Sequence, residues 1–435
     1  LKIIYAICLT LFILGCSTKK EIKVEEIKQV DDLLYIPQSA SSYSDVLDSN
    51  VSKANQSEFE SQYFTVWNIE TPIGDKNSVQ WAFNTFSNGE SYGENLQLHH
   101  DDFINNMQKK SNYENYATLN KRAITLTEVD IRAFPTDRPL FRNPEKTGEG
   151  FPFDYLQNSL VHANKPLFVT HYSKDKEWVH VFSSFAFGWV KANSIVFLDK
   201  KHTDVWQKAQ QIFITHENTP MYSLEGEFLF KTKIGMMFAL INETKDEYTV
   251  LVISKYKNKE PLFLQSKISK SHANKGVLEF TSQNMNLIIG EVSKSNYGWG
   301  GMYGQRDCSS SLRDLFLPFG VWLPRNSLQQ SKVGNVTSLD GLLNEEKITL
   351  IKEKGIAFKT LLYKQGHIVL YVGTYDNKVV VFQNTWGIKT ISDGVEGRFV
   401  IGKSIFSTLR VGNNLKDYDD DAGLLKNLKS MNTLN

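Results

Sequence analysis

Tyr297-Gly-Trp-Gly-Gly-Met-Tyr-Gly-Gln-Arg-Asp-Cys-Ser-Ser310 is the stretch that decides how this chain is read. Four glycines make a tight turn, and an aspartate follows just before a cysteine. From Cys308 to Phe316 the pattern is helical, and Pro318 stops it. A thiol at a helix N-terminus is expected to have a lowered pKa and a larger thiolate fraction. The chain holds two further cysteines, Cys8 and Cys16, both in an apolar leader. Cys308 is therefore expected to be a lone thiol with no disulfide partner, and a candidate nucleophile.

A thiol nucleophile needs a base beside it and a third group to fix that base in one tautomer. Nine histidines are present, and only His367 lies beyond residue 272. It opens the strand-like run Gly366-His-Ile-Val-Leu-Tyr-Val-Gly373, and it is the candidate base. Asp376-Asn377 marks a hairpin turn, and the return strand reaches Phe382-Gln383-Asn384. Successive strand residues face opposite ways, so one of these two amides can back the imidazole. Gln383 is preferred, with Asn384 as the alternative. Lys347–Lys352 also reads as a strand. Helix first and sheet after gives an α+β domain over residues 273–412.

Upstream, short β-runs separated by turns suggest two small barrels, 121–202 and 203–272. Residues 56–120 carry helical patterns. Residues 17–55 read as a polar tether, and 413–435 as a polar C-terminal tail. Ile3–Leu14 is apolar but short for a bilayer span. Ile13-Leu-Gly-Cys16 resembles a bacterial lipobox, so 1–16 is expected to be a lipoprotein signal and Cys16 the lipidated residue. With 49 basic against 48 acidic residues, no basic field argues for nucleic acid. One Cys and one His in the C-terminal domain do not make a zinc site. No metal or organic cofactor is expected, and oligomeric state is not legible.

The Tyr297–Gly301 turn, Asp307-Cys308-Ser309 and the Gly366-His367 strand, in this order, resemble the NlpC/p60 family of papain-like cell-wall peptidases. Trp178-Val-His-Val181 and Gly188-Trp-Val190 resemble bacterial SH3-like (SH3b) domains. The resemblance implies a multidomain chain: an N-terminal helical segment, two all-β SH3-like barrels and a papain-like α+β catalytic domain. It implies a cysteine peptidase acting on peptidoglycan stem peptides. The expected bond is γ-D-glutamyl to the diamino acid, cut through a thioester, with preference for a free N-terminal L-Ala. It implies that Tyr297 donates to the oxyanion, and that Asp307, Ser309 and Ser327 bind the substrate's free amine. The chain departs from the family pattern in Ser310, where Gly is usual, and in an amide where the third residue is often His. The alternatives are a muramoyl-L-alanine amidase or thiol acyltransferase on the same fold, or a non-catalytic wall-binding lipoprotein. A lipid anchor would place the protein in the bacterial cell envelope, outside the cytoplasmic membrane.

Overall fold

The computed structural model describes residues 29–49, 51–257 and 260–434. The leader with Cys8 and Cys16 lies outside them. Among the described residues, no helix is long and apolar enough to cross a membrane.

The first barrel is a seven-stranded antiparallel sheet built from Lys121–Thr125 to Ile195–Leu198. Its strands are short, and alternate residues such as Ile131, Val169, Val181 and Val190 fill the interior. The helix Lys200–Lys208 leads into the second barrel. That barrel has five strands between Gln211–Ile214 and Ala273–Lys275, with the ribbon Pro220–Tyr222/Phe228–Lys231 beside them. The N-terminal helices Gln56–Tyr63, Trp81–Phe86 and Phe103–Ser111 carry Phe59, Tyr63, Phe83 and Phe86. These rings share one core with Phe134 and Trp189 of the first barrel and Phe213 of the second. Aromatic burial thus ties helices and both barrels into a single packed body.

The C-terminal domain sets the helices Ser282–Val292 and Cys308–Phe316 against a six-stranded antiparallel sheet. The strands lie in the order Asn335–Ser338, Leu428–Thr433, Thr360–Lys364, His367–Tyr375, Lys378–Ser392, Val395–Thr408. Asp376 and Asn377 both take positive φ, which is what a two-residue hairpin between His367–Tyr375 and Lys378–Ser392 demands.

Three expectations are corrected. The supposed tail supplies Leu428–Thr433, an interior strand of the catalytic sheet, with Leu428 and Met431 buried. Its two apolar residues stand three apart among polar neighbours, so the sequence shows no strand alternation there. Lys347–Lys352 is helical, within Asn344–Lys354. Glu345 and Glu346 in the first turn and Lys352 and Lys354 in the last suit a helix dipole. The described part of the supposed tether, residues 29–49 and 51–55, is docked rather than loose. Asp32 accepts hydrogen bonds from the Thr408 N–H (2.5 Å) and hydroxyl (2.9 Å). The Gln38 amide bridges the Phe406 backbone, donating to its carbonyl at 2.7 Å and accepting from its N–H at 3.0 Å. This segment covers the outer edge of strand Val395–Thr408, an edge that would otherwise invite pairing with another chain.

The interior position of Leu428–Thr433 generates a prediction. Met431→Ala should lower stability by about 2–5 kcal/mol, read as a shift in the urea midpoint. An unmoved midpoint would show the strand to be peripheral.

Candidate active site

Cys308 opens the nucleophile helix because Asp307 caps it. The Asp307 carboxylate accepts the Ser310 N–H at 2.8 Å, and the Ser310 hydroxyl accepts the Asp307 N–H at 2.9 Å. This reciprocal capping box gives Ser310, the departure from Gly, a structural purpose. The Cys308 sulfur lies against the backbone N–H of Ile368, the residue that follows His367. Helix and sheet therefore meet with the thiol beside the imidazole strand.

The His367 Nε2 is 2.8 Å from the Gln383 carbonyl oxygen. The amide NH2 of Gln383 donates to Ser407 Oγ at 2.7 Å, and the Ser407 hydroxyl donates to the Thr408 carbonyl at 3.1 Å. This one-way chain leaves the Gln383 oxygen as acceptor, so Nε2 carries the ring proton and Nδ1 is the free base. Asn384 faces the opposite side. It donates to the Arg306 carbonyl (2.9 Å) and to Ser311 Oγ (3.0 Å), pinning the strand to the nucleophile helix.

Electrostatics correct the expectation of a ready thiolate. Burial, helped by the negative charge of Asp307, pushes the Cys308 thiol up to about 12. Burial likewise lowers His367 to about 4, against the opposing hydrogen bond to Gln383. Desolvation here outweighs the helix terminus, and the resting pair is neutral thiol and neutral imidazole.

Tyr297 is half-buried, with its phenol close enough to Cys308 and Asp307 to feel both charges. Burial first, then those neighbours, raise its pKa. Its backbone is fixed by the Gly402 carbonyl at 2.8 Å, and its ring lies 6.0 Å from Trp386. Gly300 and Gly301 take φ of 62° and 90°. A side chain at either would strike Gln157 or Leu160 of the first barrel, so the turn seats the catalytic domain directly on that barrel. Trp299 Nε1 donates to the Asp154 carbonyl at 3.0 Å across the same seam.

Arg325 is a residue that the sequence reading missed. Its Nη2 donates to Asp307 Oδ2 at 2.6 Å and its Nη1 to Oδ1 at 3.2 Å. Nη1 also reaches Ser309 Oγ (3.0 Å), and Nε reaches Ser159 Oγ of the first barrel (2.8 Å). Burial alone would raise the Asp307 carboxyl, but Arg325 and the Ser310 contacts hold it below its usual value. Asp307 is thus already charge-paired within the protein. Ser309 belongs to the same network. Ser327 opens the short helix Ser327–Gln330 just past Arg325 and is half-buried; no hydrogen bond joins its hydroxyl to that network. Arg325 sits in Leu323-Pro-Arg-Asn-Ser327, with no local signature that pairs it to Asp307.

From His367 an open cleft continues past Tyr297, Phe153, Trp299 and Trp386 to Lys364 and Arg398. Among the described residues no cluster of three or more His, Cys, Asp or Glu side chains is placed to hold a metal.

Comparison with known proteins matches four segments. Residues 294–397 match the NlpC/P60 family, and 5–116 match the NLPC_P60 stabilising domain, N term. Residues 139–191 match the SH3 domain of SH3b1 type, and 199–245 that of SH3b2 type. No curated protein matches the chain. Among solved structures, an NlpC/P60 endopeptidase from Photobacterium damselae subsp. piscicida is similar at 22% identity and a TM-score of 0.79, over 92% of this chain and 97% of that one. That likeness shows a shared fold. An NlpC/P60 family protein from Bacillus cereus aligns at 13% identity and a TM-score of 0.46, over 72% of this chain and 99% of its own.

The Asp307–Arg325 pair yields a test. Arg325→Met should destabilise the protein by about 3–5 kcal/mol by stranding a buried carboxylate. Asp307→Asn on top of it should recover part of that loss. A denaturation midpoint equal to that of the parent in Arg325→Met would show the pair to be dispensable.

Proposed function

We propose, for an NlpC/P60 family chain with two SH3b domains, that it is a cysteine peptidase of peptidoglycan stem peptides. The observation that carries this reading is the aligned set of Cys308, His367 and Gln383. The thiol lies against the Ile368 N–H, and the imidazole is held in one tautomer by an amide oxygen.

In this reading His367 Nδ1 takes the thiol proton as the sulfur attacks the carbonyl carbon. Transfer is coupled to attack, because neither charged partner is favoured in the resting site. The Cys308 backbone N–H and the Tyr297 hydroxyl donate to the tetrahedral oxyanion. The carbon–nitrogen bond breaks, His367 gives its proton to the leaving amine, and a thioester remains on Cys308. His367 then takes a proton from water as the water oxygen attacks, and the acid product leaves with the thiol restored. Gln383 keeps Nδ1 aimed at the sulfur throughout.

The bond assigned is γ-D-glutamyl to diamino acid, in peptides with a free N-terminal L-Ala. Support for short peptides comes from the first barrel. Ser159 meets Arg325, and Gln157 and Leu160 close on the glycine turn that leads to Cys308, so the barrel packs against both flanks of the Cys308 loop. Cys16 would hold the protein to a membrane of the cell envelope.

Mass spectrometry of stem peptides with free L-Ala, beside the same peptides on muramic acid, tests this reading. The expected product is cleavage after D-Glu in the free peptides, lost in Cys308→Ala. Fragments cut at the muramoyl–L-Ala bond would instead favour the amidase. A second test follows from the raised thiol. Alkylation of Cys308 by iodoacetamide should be slow at neutral pH and accelerate steadily as pH rises toward about 12. A rate already level at neutral pH would show a preformed thiolate–imidazolium pair.

A further inference from the structure

The end of the cleft beside His367, where Lys364 stands opposite His367 in the sheet, carries charges that the reaction itself does not use. Four charged side chains line it there: Lys364, Lys389, Arg398 and Asp419. Lys389 is spoken for, by Glu396 at 2.5 Å and Asp419 at 3.3 Å. Lys364 and Arg398 are different. Among the described residues neither meets a carboxylate. The Lys364 ammonium is half-buried and donates to the Ala422 carbonyl at 3.1 Å. Burial, and after it the charge of Arg398, lower its pKa, which places the two cations within reach of each other's field.

Arg398 is exposed and lies beside the first barrel. It stands on the strand Val395–Thr408, whose neighbour Glu396 accepts a hydrogen bond from Thr147 Oγ1 of the first barrel at 2.8 Å. Its guanidinium lies over Gly148, a position where any Cβ would collide with it. Two cations lining one cleft with no carboxylate partner, one of them half-buried, suit an anion that would join them.

We propose that this end of the cleft binds a carboxylate on the leaving fragment of the substrate, between Lys364 Nζ and the Arg398 guanidinium. The inference rests on the peptidase reading. The direction follows from its chemistry. His367 protonates the leaving amine, so the fragment that departs runs past His367, away from Arg325. The substrate class is then a short peptide whose residue after the scissile bond carries a free carboxylate. A diamino acid offers this as its terminal carboxylate or, in diaminopimelate, as the one on its side chain.

The experiment compares three peptides with the full chain. These are L-Ala-γ-D-Glu-L-Lys, its C-terminal carboxamide, and L-Ala-γ-D-Glu-meso-diaminopimelate amidated at the terminal carboxylate only. Each is assayed with the parent, Lys364→Met and Arg398→Gln. The parent should show a KM for at least one carboxylate-bearing peptide roughly tenfold below that for the lysine carboxamide. The free acid identifies the terminal carboxylate as the bound group, and the diaminopimelate peptide identifies the side-chain one. Both substitutions should erase that advantage in KM, and Arg398→Gln should leave kcat and KM for the lysine carboxamide unchanged. Equal KM values for all three peptides in the parent overturn the proposal. So do variants that keep the preference, or that lose activity on all peptides alike. No Cys308-dependent cleavage of any peptide overturns the peptidase reading, and this inference with it.

Discussion

The Arg306 guanidinium is the interaction on which the rest of the molecule depends. It is 2% exposed, joins its own domain to the second barrel directly, and reaches the first barrel through Asp314. Its Nε donates to Asp314 Oδ2 and its Nη2 to Glu217 Oε1, each at 2.7 Å. Nη2 also reaches the Ile234 carbonyl, and Nη1 reaches Ser295. Glu217 and Ile234 belong to the second barrel. His162 of the first barrel bridges Asp314 at 3.3 Å and Glu128 at 3.2 Å. Burial works against the charged imidazole of His162, but the two carboxylates win and raise its pKa. Asp314 in turn is held well below its usual range. Burial opposes this, and Arg313, Arg306 and His162 override it. Such a network tolerates no missing member, because each removal strands a buried charge.

Three successive residues divide the labour of the site. Arg306 fixes the domain junction, Asp307 closes on Arg325 and caps the helix, and Cys308 turns to the Ile368 N–H of the imidazole strand. The nucleophile is therefore held from both directions along the chain. The sheet supplies the other half. Asn384 ties its strand to the helix, while Gln383 on the opposite face sets the imidazole. The same alternation of one strand both positions the two halves and orients the base.

Local patterns were legible in the sequence; long-range pairings were not. Cys308 and His367 stood out because a capped helix and an apolar strand have short signatures. Alternation alone separated Gln383 from Asn384 into opposite faces, and the hydrogen bonds show which face meets the imidazole. Arg325 escaped because its meaning depends on Asp307 and Ser159, which are distant along the chain. Leu428–Thr433 escaped because a strand of mixed polarity, placed between Asn335–Ser338 and Thr360–Lys364, owes its state to partners rather than to its own residues. The helix Asn344–Lys354 was misread because Ile348, Leu350 and Ile351 form a short apolar run, which periodicity alone cannot assign. The pKa of Cys308 was misjudged for a related reason: sequence shows the helix start but not the depth of burial.

Gly300 and Gly301 carry a consequence for how such proteins diverge. Their lack of side chains answers to Gln157 and Leu160, residues of another domain. The loop that leads to the nucleophile is thus moulded by the barrel it leans on. Recombination between relatives just past the strand Ala273–Lys275 would join a loop and a barrel face that were never fitted together. By this fit, a change in the barrel face constrains what the loop can accept.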